Sequence, residues 1–580
     1  MQHNVAIISS PPTYRSYVAQ AEQKAAIYRF DGAEGSVTWL KGHYAYFAVN
    51  GAESFLRRLG IKYDIVPDDT VTSTALDAYH TLIIPDAENL QNHAVFEKWV
   101  SGKHRQLIVI GRTNLPDTLL GCTFAGYQHF SHPTGMQWKS RHFFLSPQEL
   151  EVRIVALRPG AKEIAALGEY VDTYTPDFRL LKHPAVFAHR NVLCFTQSIF
   201  EYIGSILEGA MSIESVRHFY PPFLFVDELL LAIRNILEVH APQLFQLRVP
   251  PWGPHDRIVV LRHDVDFSDD PTYARYEIDQ GIPATYPLLL DEHLSTWLTL
   301  LKDQPNIEIS FHYSSAQPES LRTRIRTHLA RIRGDVHWGA AHPGKRIMSK
   351  DGLLRQIHEA EAQGIRCDTA HRHENFFFYP ETVDAMHYLY RKKKNILGLG
   401  TMFRYECFQY GESAITVEYP ETAVPFWFPY KLYYASTRHH EPLRGWDSTQ
   451  LMEPNPQETY ALLSSKLENG VFTFGFHPKH AHSTEFNIKG NVEWFKAAID
   501  LAKHRKCVFM TSAEVYERLT ASEALRVNLT GNLLTIHNTY WLPMHDVRIL
   551  VHGQQLNFKM VNAQQKIEKR LEDHRNARSA

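Results

Sequence analysis

Cysteine is scarce in this chain: five among 580 residues, scattered at Cys122, Cys194, Cys367, Cys407 and Cys507 with no CxxC spacing. That argues against a disulfide framework and against a thiolate zinc site. Net charge is almost absent as well, −2 at neutral pH, so composition exerts no global pull toward nucleic acid. No uninterrupted apolar run is long enough to span a bilayer, and the opening Met1-Gln-His-Asn4 lacks the basic-then-apolar order of a signal peptide. The expectation is a cytoplasmic protein without stable membrane insertion. Low-complexity tracts and internal repeats are also missing. With 44% hydrophobic residues over this length, roughly three or four domains can each bury a core. Histidine is plentiful, 33 in all, so its presence means little and its position must decide.

The densest cluster of reactive groups follows a short β-branched run, Ile258 to Leu261. This run reads as a buried strand that ends directly in Arg262, His263, Asp264 and Asp266. A strand that delivers carboxylates to its end is the usual way an α/β barrel presents a site at its open face. The pattern recurs. Ile307-Glu-Ile-Ser-Phe-His312, Val336-His-Trp-Gly-Ala-Ala-His342, Gly364-Ile-Arg-Cys-Asp368 and Val471-Phe-Thr-Phe-Gly-Phe-His477 are strand-like and end in His or Asp. Ala284 to Leu288 and Cys507 to Met510 add two further strands, Pro318 is expected to open a helix, and Thr511 with Glu514 has capping-box spacing. Such segments over 257–520 fit a closed or nearly closed (β/α) barrel.

Before it, residues 1–214 alternate strands (Val5–Ile8, Tyr63–Val66, Thr81–Ile84, Gln106–Ile110) with helices, as a flavodoxin-like parallel-sheet domain does. Residues 215–256 read as a connector with an apolar helix from Phe225 to Val239 and the stiff Pro250-Pro251-Trp-Gly-Pro254. Residues 521–580 suggest a small β appendage, from Leu533–His537 and Val547–Val551, followed by a charged helical tail over Lys566–Arg578.

The barrel segment resembles the polysaccharide deacetylase (NodB-homology, carbohydrate esterase family four) proteins, and the resemblance covers 257–520 of the 580 residues. It implies a distorted (β/α) barrel and a metal-dependent hydrolase that removes an acyl group, an N-acetyl, from a carbohydrate or glycan precursor. Asp264-Val-Asp266 matches the family's Asp-x-Asp pair, which implies Asp264 as general base and Asp266 as metal ligand. Two carboxylates two apart in an extended chain share a side. One can therefore hold a divalent metal, zinc being the expected ion, while the other takes a proton from the water it activates. His312 stands where the first histidine of the family's His-x-x-x-His belongs, but the residue four further on is Ala316. The remaining ligand is then sought in Ala341-His342-Pro343-Gly344, with His337 as a competitor. Gly475-Phe-His477-Pro478 resembles the late Leu-x-His motif and implies His477 as general acid. Asp368, Arg262 and His263 are the expected substrate-side or orienting groups.

In the first domain, Leu82-Ile-Ile-Pro-Asp-Ala87 resembles class I glutamine-amidotransferase-like domains. No strand-to-helix elbow carries a cysteine, and Cys122 reads as a buried thiol, so a non-catalytic binding or self-association module is expected there. Two rivals to the deacetylase stand: a cyclic amide or ureide hydrolase on the same barrel, and a non-catalytic glycan- or partner-binding scaffold with a degenerate metal site.

Overall fold

Alternate residues of the first strands enter opposite cores. The computed structural model describes residues 3–13, 46–130, 132–146, 152–171, 177–207, 222–255, 257–265, 267–314, 316–318, 325, 345–347, 350–365, 369–373, 398–400, 432–436, 470–482 and 491–571. In β1 (Val5–Ser9), β2 (Asp64–Pro67), β3 (Thr81–Ala87) and β4 (Gln106–Thr113) the strands run parallel. Val5, Ile7, Ile83, Ile108 and Ile110 join one apolar cluster, with Phe55 and Leu56 of α1 (Tyr46–Arg58). Ala6, Ile8, Leu82, Ile84, Leu107 and Val109 join another, with Phe96 and Trp99 of α2 (His93–Val100). Continuous apolar runs are what a parallel sheet covered on both faces requires.

The second half of this sheet departs from the expected strand–helix alternation. The chain continues as β5 (Cys122–Gln128), β6 (Thr134–Trp138), β7 (Arg141–Ser146), β8 (Val152–Leu157), β9 (Lys162–Tyr170), β10 (Phe178–His189) and β11 (Val192–Phe195). The sheet order is β2-β1-β3-β4-β11-β10-β9-β6-β7, parallel through β11 and antiparallel beyond it, while β5 and β8 pair apart. The physical reason is turn length. Only Lys139 and Ser140 separate β6 from β7, and only Arg190 and Asn191 separate β10 from β11, which allows a hairpin but no crossover helix. Lys139 and Arg190 adopt φ of 55° and 54°, as two-residue hairpin turns demand. Cys122 is buried at the start of β5, and burial pushes its thiol up. Helices α3 (Ile199–Leu207) and α4 (Pro222–His240) follow, then β12 (Leu247–Arg248).

The second sheet carries the candidate site. Its elements are β13 (Arg257–His263), α5 (Thr272–Gln280), β14 (Ala284–Leu288), α6 (Leu294–Leu301), β15 (Ile307–Ser314), the β16 (Ala316–Pro318) and β17 (Lys345–Ile347) hairpin, α7 (Lys350–Ala362), β18 (Thr369–His373), β19 (Gly398–Gly400), β20 (Leu432–Ser436), β21 (Gly470–Phe476), α8 (Asn491–His504), β22 (Val508–Phe509) and α9 (Ser512–Ala524). Strand order is β19-β18-β15-β14-β13-β21-β20, with β22 also against β13 and these pairings parallel. Among the described residues β19 and β20 form its two edges.

The strands expected near 284, 307, 471 and 507 are present. Of the strand expected over Gly364–Asp368, Gly364 at φ 91° belongs to the turn that ends α7, residues 366–368 lie outside the described residues, and β18 follows them. Pro318 itself pairs with Lys345 in β16, while Ile325, on the helix expected to follow it, is helical; residues 319–324 between them lie outside the described residues. The segment Val336–His342 lies outside the described residues.

The last unit has β23 (Leu525–Thr530), β24 (Leu533–Asn538), β25 (Met544–Val551), β26 (Gln554–Val561) and β27 (Lys566–Arg570). They form the sheets β23-β24-β27 and β12-β25-β26 over a shared core. The helix expected from Lys566 is therefore a strand over its first five residues. Ile567 alternates with charged neighbours and packs on that core, a period of two rather than of a helix. Among the described residues no helix is long and apolar enough to cross a membrane.

Candidate active site

Strand β13 has two different faces. Val259, Leu261 and Val265 belong to the large core with Tyr273 of α5 and Phe495 of α8. Arg262 and Asp264 alternate onto the other face and are still buried, at 0% and 1% exposure. Burial of both is tolerable because they are paired. Arg262 Nε lies 2.9 Å from Asp264 Oδ1, and Arg262 Nη2 donates to Oδ2 at 3.1 Å. The second contact is a hydrogen bond and the first an ionic approach, and together they hold the carboxylate against the guanidinium.

Register shows what shares this face. Arg262 is level with Thr285 and Gly475, and Thr285 with Glu308. Thr285 Oγ donates to Glu308 at 2.8 Å across that row. One row on, the Asp264 amide donates to the Phe476 carbonyl at 3.1 Å, so His477 stands beside Asp264. His477 Nε2 lies 3.9 Å from Asp264 Oδ2, with the imidazole 1% exposed. That distance is an ionic approach and longer than a hydrogen bond.

On β15, Glu308, Ser310 and His312 take the same face by alternation. Ser310 Oγ meets Thr369 Oγ1 at 2.6 Å and His312 is 1% exposed. The register places His312 level with His371 of β18.

The floor beneath this row is closed by α9. The Ser512 amide donates to Thr285 Oγ1 at 2.8 Å, and the Ala513 amide to Glu308 at 2.9 Å. Thr369 also donates to Glu308. Burial raises the Glu308 carboxyl above its ordinary range, and these hydrogen bonds oppose the shift. The α9 terminus is itself fixed by the expected capping box between Thr511 and Glu514.

Of the residues singled out in the sequence, the fold brings Arg262, Asp264 and His477 together and puts His312 on the same face two strands away. His263 goes elsewhere. One residue from Asp264, it takes the opposite face, where it stacks on Tyr286 at 4.6 Å and lies 2.7 Å from Glu277. Tyr286 donates to the other oxygen of Glu277 at 2.5 Å. His263 therefore ties the end of β13 to α5 and β14 from behind. Arg262, expected on the substrate side, faces Asp264. Asp266, His342 and Asp368 lie outside the described residues. Among the described residues no three His, Cys, Asp or Glu side chains converge on one point.

Glu308, Ser310 and Thr285 were not singled out as site-side residues. The alternation of Glu308, Ser310 and His312 is the signal that places them together.

No protein family matches the chain, and no curated protein does. Among solved structures it is similar to Agd3, described as a novel carbohydrate deacetylase, at 9% identity over 98% of each chain with a TM-score of 0.38. It is also similar to the Xyl-CE4 domain of a multidomain xylanase from the hindgut metagenome of Trinervitermes trinervoides. That match has 10% identity over 46% of this chain and 92% of that one, with a TM-score of 0.24. A Bordetella bronchiseptica protein described as a polysaccharide deacetylase involved in O-antigen biosynthesis matches at 14% identity over 46% and 90%, with a TM-score of 0.21.

Proposed function

We propose that the chain is a hydrolase that removes an acyl group, an N-acetyl, from a carbohydrate. The observation that carries this reading is the buried Asp264–His477 pair, 3.9 Å apart on one sheet face, with Arg262 locked to the carboxylate. A base and an acid held this close can serve the two ends of one displacement. Asp264 accepts a proton from the attacking water as its oxygen bonds to the acyl carbon. The carbon–nitrogen bond then breaks, and His477 gives the departing nitrogen its proton, leaving acetate and a free amine. Arg262 keeps the Asp264 carboxylate in one orientation throughout.

A divalent ion, zinc by donor type, belongs to this proposal, with Asp266, His312 and His342 as its holders. Carboxylate and imidazole are the donors such an ion takes. His312 fits by face and burial: it shares the Asp264 side of the sheet and is 1% exposed. When bound, the ion would polarise the acyl carbonyl and acidify water.

The test is acetate release from N-acetylated sugars. Asp264→Asn should abolish it. His477→Ala should cost about 100-fold or more on an amide and far less on an activated aryl ester, whose leaving group needs no proton. Chelation should remove activity and zinc restore it. Equal losses on amide and ester would remove His477 from the acid role, and no release from any zinc-loaded preparation would sink the hydrolase reading.

A further inference from the structure

Phe267 stands three residues past Asp264, just beyond the carboxyl end of β13, and two features of it run against ordinary folding preference. Its side chain is 57% exposed, and its φ is 47°. Among the described residues it is the one apolar side chain at a positive φ outside glycine; the others are Asp, Asn, His, Lys, Arg and Gln. A bulky residue in that region is strained, and strain held at a site rim is a reason to look for function.

The surrounding structure imposes the conformation. The Phe267 amide donates to Asp291 Oδ2 at 3.0 Å, from the loop after β14. Trp297 Nε1 donates to the Ser268 carbonyl at 2.5 Å. Further along the loop, Asp270 Oδ2 lies 3.7 Å from His482, and Thr272 Oγ1 meets the same imidazole at 3.1 Å. Loops that follow β13, β14 and β21 are thus pinned to one another at the edge where Asp264 and His477 sit. Phe267 is displayed on that rigid rim.

We infer that the Phe267 ring is a stacking platform for the apolar face of a pyranose ring, and that it seats the sugar whose acyl group reaches Asp264 and His477. The inference rests on the acyl-hydrolase reading and adds a specificity-determining residue to it. A pyranose presents a patch of C–H groups on one face and hydroxyls around its edge. An exposed aromatic ring suits the first, and the polar rim suits the second.

The probes are oligomers of N-acetylglucosamine and N-acetylgalactosamine, together with ethyl acetate, which has no ring to stack. Phe267→Ala should raise KM, and Kd by calorimetry, about three- to ten-fold on the bound oligomer. Phe267→Trp should restore both. Turnover of ethyl acetate should be unchanged in both variants. The thermal midpoint of Phe267→Ala, read beside that of wild type and Phe267→Trp, separates lost stacking from lost folding. If wild type binds no oligomer, or if Phe267→Ala changes Kd less than two-fold, the platform is refuted. If acetate is released while KM does not move, the platform falls and the hydrolase stands. If no substrate is turned over but oligomer binding still depends on an aromatic at 267, the hydrolase falls and the platform stands.

Discussion

At the scale of single residues, the site depends on Arg262. Its guanidinium is fully buried, and so is the carboxylate it clamps. Removing one member of a buried pair leaves the other uncompensated, at about 3–5 kcal/mol. Arg262→Met should therefore lower stability by that order, and adding Asp264→Asn should recover part of the loss, both read by denaturant unfolding. Full additivity of the two changes would show that the pair is not coupled. That polar groups cluster at the end of β13 was legible in the sequence, because carboxylates directly after an apolar run are out of place in a sealed core. The role of His263 was not legible. One position along a strand reverses the face, and its partners Glu277 and Tyr286 come from elements 14 and 23 residues away.

Elements show the same division. The strands around 258, 284, 307 and 471 announce themselves by short runs of β-branched, aromatic and apolar residues, and Thr511 with Glu514 announces the start of α9. That cap has an unusual burden, since the amides behind it also fasten Thr285 and Glu308 under the site row. Thr511→Ala should cost about 1 kcal/mol in stability. It should also lower acetate release more than a cap lost at a remote helix would, and activity measured well below the unfolding midpoint checks this. An unchanged kcat would make α9 a support for the fold alone. The antiparallel half of the first sheet was harder to read. Its strands alternate polar and apolar residues only loosely, and nothing in Cys122–His189 marks where β5 and β8 leave the main sheet to pair with each other.

For the whole molecule, the junction between its beginning and its end is the informative feature. His3 Nδ1 lies 3.4 Å from the Val527 carbonyl, and Arg526 meets His3 Nε2 at 3.0 Å. Burial lowers the His3 pKa from 6.5 to about 4; Asp64 works against the shift, while Lys62 and Arg526 add to it. A histidine that binds its proton less readily when folded contributes stability that is complete above pH 6.5 and lost as pH falls toward 4. The midpoint advantage of wild type over His3→Gln should therefore shrink across that window in thermal scans. A constant difference would show that the imidazole does not titrate between the two states.

The same junction has a consequence for how the chain is made. Leu247 and Arg248 find their partners in Val551 and Leu550, and Val249 bonds back to Gly60. During synthesis, Leu247 and Arg248 leave the ribosome some 300 residues ahead of the strand that completes their sheet. The connector must wait, half-assembled, until β25 has emerged, and a stalled nascent chain would expose an unpaired edge there to chaperones and proteases.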